Sequence, residues 1–171
     1  MKGYIQVYTG NGKGKTTAAF GLALRAVGAG KKVFIAQFVK VMEYSEVQAV
    51  RNFLPSVTIK QYGLDCFIIH APTQADIDIA RKGLKEVSGV IASGEYDIVI
   101  LDEANIATFY NLFTGAELVE ILKNKPDSLE VVVTGRYASA EILKIADLIT
   151  EMKEVKHYYA QGIKARKGIE Y

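Results

Sequence analysis

The sequence predicts a three-layer α/β domain built on a mostly parallel sheet. Three observations carry that reading. Apolar, β-prone runs recur at residues 4–8, 33–38, 57–62, 98–101 and 131–134, with a weaker one at 148–152. They are continuous and do not alternate, which is how strands covered on both faces read. Helical patterns lie between most of them, giving the order βαβαβαβαβαβ, and such units close with right-handed crossovers. Finally, the first strand runs into a glycine-rich turn ending in Gly14-Lys15-Thr16, and a helical stretch follows at 18–27. A strand, such a turn and a helix form the setting of a phosphate-binding loop.

Composition bounds the rest. A chain of 171 residues suits one domain, 1–171, and half of it is hydrophobic with 23% charged, a globular balance. The net charge of +2 gives no reason to invoke nucleic acid or membrane. One cysteine, Cys66, excludes an internal disulfide framework and a Cys-rich zinc site. Met1-Lys2 lead straight into the first strand with no visible signal peptide, and no apolar run approaches spanning length. The expectation is a soluble, cytoplasmic protein.

The turn itself reads Thr9-Gly10-Asn11-Gly12-Lys13-Gly14-Lys15-Thr16-Thr17. Its glycines let successive N–H groups point inward, and the helix start adds partial positive charge. Lys15 supplies a full charge, and the Thr16 hydroxyl can reach a magnesium ion. Counting back from Gly14-Lys15-Thr16, the first glycine of the common spacing falls on Thr9, and the glycine stands at Gly10 instead. A tighter or differently shaped loop is expected.

Gly28-Ala29-Gly30 stops the first helix, with Lys31-Lys32 leading into the second strand. That strand ends in Gln37-Phe38-Val39-Lys40, on the edge where open α/β sheets bind ligands, although a solvated loop explains its polar residues equally well. Residues 41–54 read as a loop entering a helix that stops near Pro55. Residues 62–72 break all periodicity and are rich in Leu, Phe and Ile. A long apolar loop of this kind suits a flat apolar ligand or a segment tucked into the core. His70 reads as structural and Cys66 as an inert thiol.

Thr73 caps a long helix that has Asp76 in its first turn, core positions at helical spacing and a stop at Gly94. Residues 97–103 then form a hydrophobic strand ending in Asp102-Glu103, the usual partner of a phosphate loop. One carboxylate holds magnesium, directly or through water, and the other orients a water or a ligand hydroxyl. Thr114 and Glu117 have capping-box spacing at the start of the next helix, which runs to Lys125-Pro126. Thr134-Gly135-Arg136 follows the fifth strand and aims Arg136 at phosphate or a ribose edge. Residues 138–146 read as helix and 147–152 as the last strand. The tail, 154–171, is basic with interleaved tyrosines, a mix that suits an anionic ligand or nucleic acid; with no other basic patch in the domain, it is expected to pack over the site entrance.

These stretches together, with Val155-Lys156-His157, Gly162-Ile163-Lys164-Ala165 and Gly168-Ile169-Glu170-Tyr171, resemble the P-loop type of ATP:corrinoid adenosyltransferase, the cob(I)alamin or cob(I)yrinic acid a,c-diamide adenosyltransferases. The resemblance spans nearly the whole chain. It implies a RecA-like P-loop nucleotide-binding domain, commonly a homodimer, that moves the 5′-deoxyadenosyl group of ATP to cobalt(I) of a corrinoid and releases triphosphate. It implies a triphosphate reversed in the loop, and a reduced flavoprotein as electron donor. The cofactor set is ATP, Mg2+ and the corrinoid substrate. Residues Gly10, Asn11, Gly12, Lys13, Gly14, Lys15, Thr16, Thr17 and Arg136 fall to the nucleotide, and Thr16, Asp102 and Glu103 to the metal. Lys15, Glu103 and Arg136 are the catalytic candidates, with Glu103 also placed against the ribose. The chain departs from the family in two places. Only a few residues precede the first strand where the family often carries a capping extension, so either the cap is absent or another segment does its work. The family's Gly-Phe-x-Trp reads here Gly63-Leu64-Asp65-Cys66-Phe67, leaving Leu64 or Phe67 as the wedge beneath the corrinoid. The rival readings are an ordinary P-loop ATPase or small-molecule kinase, and a non-catalytic ATP-regulated binding module.

Overall fold

A computed structural model describes residues 2–64 and 71–171. Phe67, Cys66 and His70 therefore lie outside the described residues. The elements run β1 (Ile5–Thr9), α1 (Lys15–Gly28), β2 (Val33–Phe38), α2 (Ser45–Phe53), β3 (Val57–Tyr62), α3 (Gln74–Ser93), β4 (Ile98–Asp102), α4 (Ala104–Phe109), α5 (Gly115–Lys123), β5 (Glu130–Thr134), α6 (Ala140–Ile145) and β6 (Leu148–Glu151). A short 3-10 turn at Tyr158–Gln161 follows in the tail.

The strands form one sheet in the order β3-β2-β4-β5-β1-β6, and every pairing is parallel. Parallel strands need crossovers, and the helices supply them on both faces. Side-chain alternation divides the core in two. Phe34, Ala36 and Phe38 of β2 face α3, α4 and α5, together with Val99, Leu101, Val131 and Val133. Val33 and Ile35 face the other way, with Ile98, Ile100 and Val132, against α1 and α2. The side of α1 that meets the sheet is alanine (Ala19, Ala23, Ala26), so this helix lies close to the strands. The result is the three-layer α/β fold of a P-loop domain.

Every residue of β2 is buried, which explains its unbroken apolar run. Every residue of β6 is exposed. It pairs on one side only, with β1, and an edge strand has less to bury, hence its weaker signal in the sequence.

The parallel arrangement brings the C-terminal ends of β1, β2, β4 and β5 to one edge. Gln37 pairs in register with Asp102, and Tyr8 with Thr134. Because β5 stands between β1 and β4, the loop after β1 faces the end of β4 across the end of β5. This edge, at a reversal of strand order, is where open α/β sheets bind ligands.

Candidate nucleotide and metal site

The loop between β1 and α1 is held from behind by the chain leaving β6. Gly12 N donates to Met152 O at 2.7 Å. Gly10 has φ 93°, and a Cβ there would come within 2.4 Å of Met152 O. The shifted glycine is thus required by both its backbone conformation and its neighbour. Lys15 opens α1, and its Nζ donates to Gly10 O at 2.7 Å and Gly12 O at 2.8 Å, so the ammonium spans the loop. Burial pushes the Lys15 pKa below the usual lysine value, and nearby Arg136 and Lys40 act in the same direction, against Glu103 and Asp102.

Behind the loop, Asp102 ends β4 and is fully buried. Four donors satisfy its carboxylate. Thr16 Oγ1 at 2.9 Å and Thr134 Oγ1 at 2.7 Å donate to Oδ1. Gln37 Nε2 at 3.1 Å and Lys40 Nζ at 3.0 Å donate to Oδ2. Gln37 is itself held by Gln61 Nε2, which donates to its Oε1 at 3.1 Å. Burial alone would raise the Asp102 pKa, but the Lys40 charge and the hydroxyl donors hold it below the usual carboxylate value. For Lys40, burial works against the charge, and Asp102 and Glu103 outweigh it, so the ammonium is held above its usual value.

Glu103 takes the left-handed conformation, φ 58°, at the start of α4, and its N donates to Thr134 Oγ1 at 3.1 Å. Burial and then the neighbouring Asp102 charge raise its pKa. The two adjacent carboxylates are therefore set apart: Asp102 firmly ionised, Glu103 more easily protonated.

A cleft of about 980 Å3 opens in front of these groups. Asn11, Gly12, Lys13, Gly14, Lys15, Thr16, Thr17, Glu103 and Arg136 all line it. Asp102 stands behind it, reaching the cleft through Thr16 and Lys40. Arg136 is exposed at its wall. The opposite wall is apolar, from Phe20 and Leu24 of α1 to Val50 and Phe53 of α2. Leu64 is 46% exposed and does not line this cleft.

The tail meets the same cleft. Gly168 to Tyr171 and His157 line it, Ser45 Oγ donates to Tyr171 O at 3.0 Å, and the Tyr44 and Tyr171 rings lie 6.2 Å apart. Lys13 turns away from the loop interior. Its Nζ donates to Ile169 O at 2.7 Å and Glu170 Oε1 at 2.8 Å. Glu170 is also bonded by Tyr158 OH and by Arg166 N at 2.8 Å.

Three residues of the buried cluster were not among the site residues the sequence suggested: Lys40, Thr134 and Gln37. Their signal existed in the polar run ending β2 and in Thr134-Gly135-Arg136. A lysine just past a strand, however, reads the same whether it is solvated or turned inward.

The donors around Thr16 fit a hard cation. A threonine hydroxyl and two carboxylates supply oxygen only, and Mg2+ is commonly held by one or two carboxylates with phosphate and water completing the shell. Among the described residues no group of three or more His, Cys, Asp or Glu could hold a metal unaided. The site therefore suits an ion that arrives with a polyphosphate.

The whole chain, residues 1–171, matches the family described as ATP:corrinoid adenosyltransferase BtuR/CobO/CobP. Relatives named corrinoid adenosyltransferase bear this out. The protein of Escherichia coli K12 is 36% identical over 99% of this chain and 86% of its own length. That of a Sinorhizobium species is 37% identical over 99% of this chain and 81% of its own. That of Salmonella typhimurium LT2 is 35% identical over 99% of this chain and 86% of its own. At these identities, over this much of the sequence, the chain belongs to the ATP:corrinoid adenosyltransferase family.

Proposed function

We propose that this chain transfers the 5′-deoxyadenosyl group of ATP to the cobalt(I) of a corrinoid, releasing triphosphate. The observation that carries the reading is the apposition, in one cleft, of a phosphate loop carrying Lys15 and Thr16 with the Asp102-Glu103 pair. In the step itself the cobalt(I) electron pair attacks C5′ and a cobalt–carbon bond forms. The C5′–O bond breaks and its electron pair leaves with the triphosphate, while cobalt is oxidised by two electrons. No protein nucleophile is required, because the reduced corrinoid supplies it.

What remains for the protein is position and charge. The loop from Gly10 through Asn11 and Gly12 to Gly14 curls around the triphosphate, the Gly12 N–H anchoring the loop on Met152 O, with Lys15 and Arg136 beside the leaving charge. Lys13 serves the same anion once Glu170 yields it. Thr17 and Thr16 extend the cradle into α1. Thr16 with Asp102 or Glu103 would hold Mg2+, whose chemistry is neutralisation of phosphate charge, and Glu103 also meets the ribose. The triphosphate lies reversed relative to ordinary NTPases. Leu64 or Phe67 meets the corrinoid, and residues 154–171 close over the entrance. The working form is a cytoplasmic homodimer, and a reduced flavoprotein supplies the electrons that bring the corrinoid to cobalt(I).

Incubation with ATP, Mg2+ and chemically reduced corrinoid tests the activity. Adenosylcorrinoid, followed by its visible spectrum, should accumulate with equimolar triphosphate. Release of ADP and phosphate, or phosphorylation of an acceptor without corrinoid, contradicts it in favour of an ordinary ATPase or kinase. Sedimentation of the purified chain as a monomer would remove the dimer from the scheme.

A further inference from the structure

The oxygens assigned above to a divalent ion already surround a cation. Lys40 Nζ lies 3.0 Å from Asp102 Oδ2, 3.2 Å from Thr16 Oγ1 and 3.7 Å from Glu103 Oε1. Its residue is only 7% exposed, so this is a built contact and no surface ion pair. A buried ammonium bonded to a hydroxyl and a carboxylate meets the same hard oxygen donors that a metal ion selects.

The backbone on both sides of the contact is strained. Val39, which carries Lys40 into the site, has φ 52°, and Glu103 has φ 58°. A β-branched residue in the left-handed region is a genuine outlier. Such conformations persist only where the surroundings hold them, and they gather at switch regions and ligand clamps. Val39 N donates to Tyr62 O at 3.1 Å, so the turn is tied to the end of β3 on one side and, through Lys40, to the acidic pair on the other.

We propose that Lys40 is the resident counter-ion of the acidic pair, standing where the divalent ion must bind and leaving when metal and polyphosphate arrive together. The inference rests on the metal assignment in the preceding subsection. A divalent ion and the ammonium compete for these oxygens. Metal alone must displace an ammonium whose other anionic neighbour is the single carboxylate of Glu46. Metal with triphosphate brings a polyanion beside it, so the nucleotide pulls Lys40 off the carboxylates as the ion enters. Lys40 is thus a positioning residue that keeps Thr16, Asp102 and Glu103 together in the empty site and couples metal entry to nucleotide entry.

The test is Mn2+ binding to the full chain without nucleotide, read by electron paramagnetic resonance, for wild type, Lys40→Met and Lys40→Gln. Wild type should bind weakly and gain strongly on adding ATP. Each folded variant should bind Mn2+ alone about tenfold tighter or more, since an opposing unit charge beside the ion has gone. A purely structural lysine would give the opposite, a disordered pair and weaker binding. Unchanged or weaker Mn2+ affinity in a variant with a normal melting curve overturns the proposal. Should neither variant fold, the wild-type crystal structure with Mn2+ and ATP decides. Manganese on Thr16 with Lys40 moved off Asp102 supports the proposal, and manganese there with the Lys40–Asp102 contact intact overturns it. Absence of Mn2+ from Thr16 even with ATP overturns the metal assignment itself, and this inference with it. Adenosyl transfer assayed in parallel separates that failure from loss of the activity.

Discussion

Asp102 shows how much of the site depends on one side chain. Its buried carboxylate accepts from Thr16, Thr134, Gln37 and Lys40, which belong to α1, β5, β2 and the loop after β2. Asp102→Asn keeps the shape but removes the charge facing a buried ammonium. Breaking one half of such a pair costs about 3–5 kcal/mol. The denaturation midpoint should fall accordingly, and an unchanged midpoint would mean the Lys40 ammonium finds other compensation. Lys15→Ala is a different case. The ammonium gives up two hydrogen bonds to loop carbonyls, worth about 1 kcal/mol each, so the fold survives. Transfer should drop by about 100-fold or more, the scale of losing one charge-stabilising donor. Retained activity would show that the phosphate is bound elsewhere. Lys15, Thr16 and Asp102 were legible in the sequence because a local string encodes their role. Lys40 was not. Its burial comes from the pairing of Gln37 with Asp102, 65 residues apart in sequence, which no local pattern contains.

At the scale of elements, strands with two covered faces announced themselves, and so did helices with caps. Thr73 with Asp76 and Thr114 with Glu117 both form complete capping boxes. Thr114→Ala should cost about 1 kcal/mol of stability, readable as a lower melting temperature. The helix α4 was not anticipated. It has six residues, no side-chain cap, and a left-handed Glu103 at its start, so nothing in the sequence marks it. Helix α1 begins at Lys15, ahead of the apolar stretch at 18–27, because the first turn is written in loop residues. Helix α3 offers a sharper packing test. A Cβ on Gly83 would lie 2.4 Å from Tyr62 Cγ, against the end of β3. Alanine gains up to about 1 kcal/mol of helix propensity there. Overpacking costs about 1–3 kcal/mol. Gly83→Ala should therefore destabilise, and a raised melting temperature would show that Tyr62 moves aside freely.

For the whole molecule, strand order was the part no periodicity could supply. A sequence of alternating strands and helices predicts parallel pairing, but not that β5 separates β1 from β4. Nor could it reveal that Lys13 reaches Glu170, 157 residues later. Acid stability is a property of this scale. Glu86 is held below its usual pKa by Lys60 and Tyr62, Asp97 by the Lys32 backbone, and Glu117 by Thr114. Each folded-state value lies below the unfolded one, so the unfolded chain binds more protons near pH 4 and stability rises with pH there. Their contributions are complete above the unfolded value of about 4 and vanish as pH falls through the folded values. Glu103, raised, acts in the opposite sense, but it is one group against several. The melting temperature should decline below about pH 4, and a flat profile there would mean these pairs persist in the unfolded chain.

The central claim is that the loop from Gly10 to Thr16 grips the triphosphate of ATP so that C5′ faces an incoming cobalt nucleophile. A crystal structure with ATP and Mg2+ tests it most directly. The account predicts the triphosphate within the loop against Lys15, reversed from the usual NTPase direction, with C5′ open to the cleft. Nucleotide bound away from Lys15, or seated in the loop with its γ-phosphate presented for transfer and C5′ shielded, would contradict it.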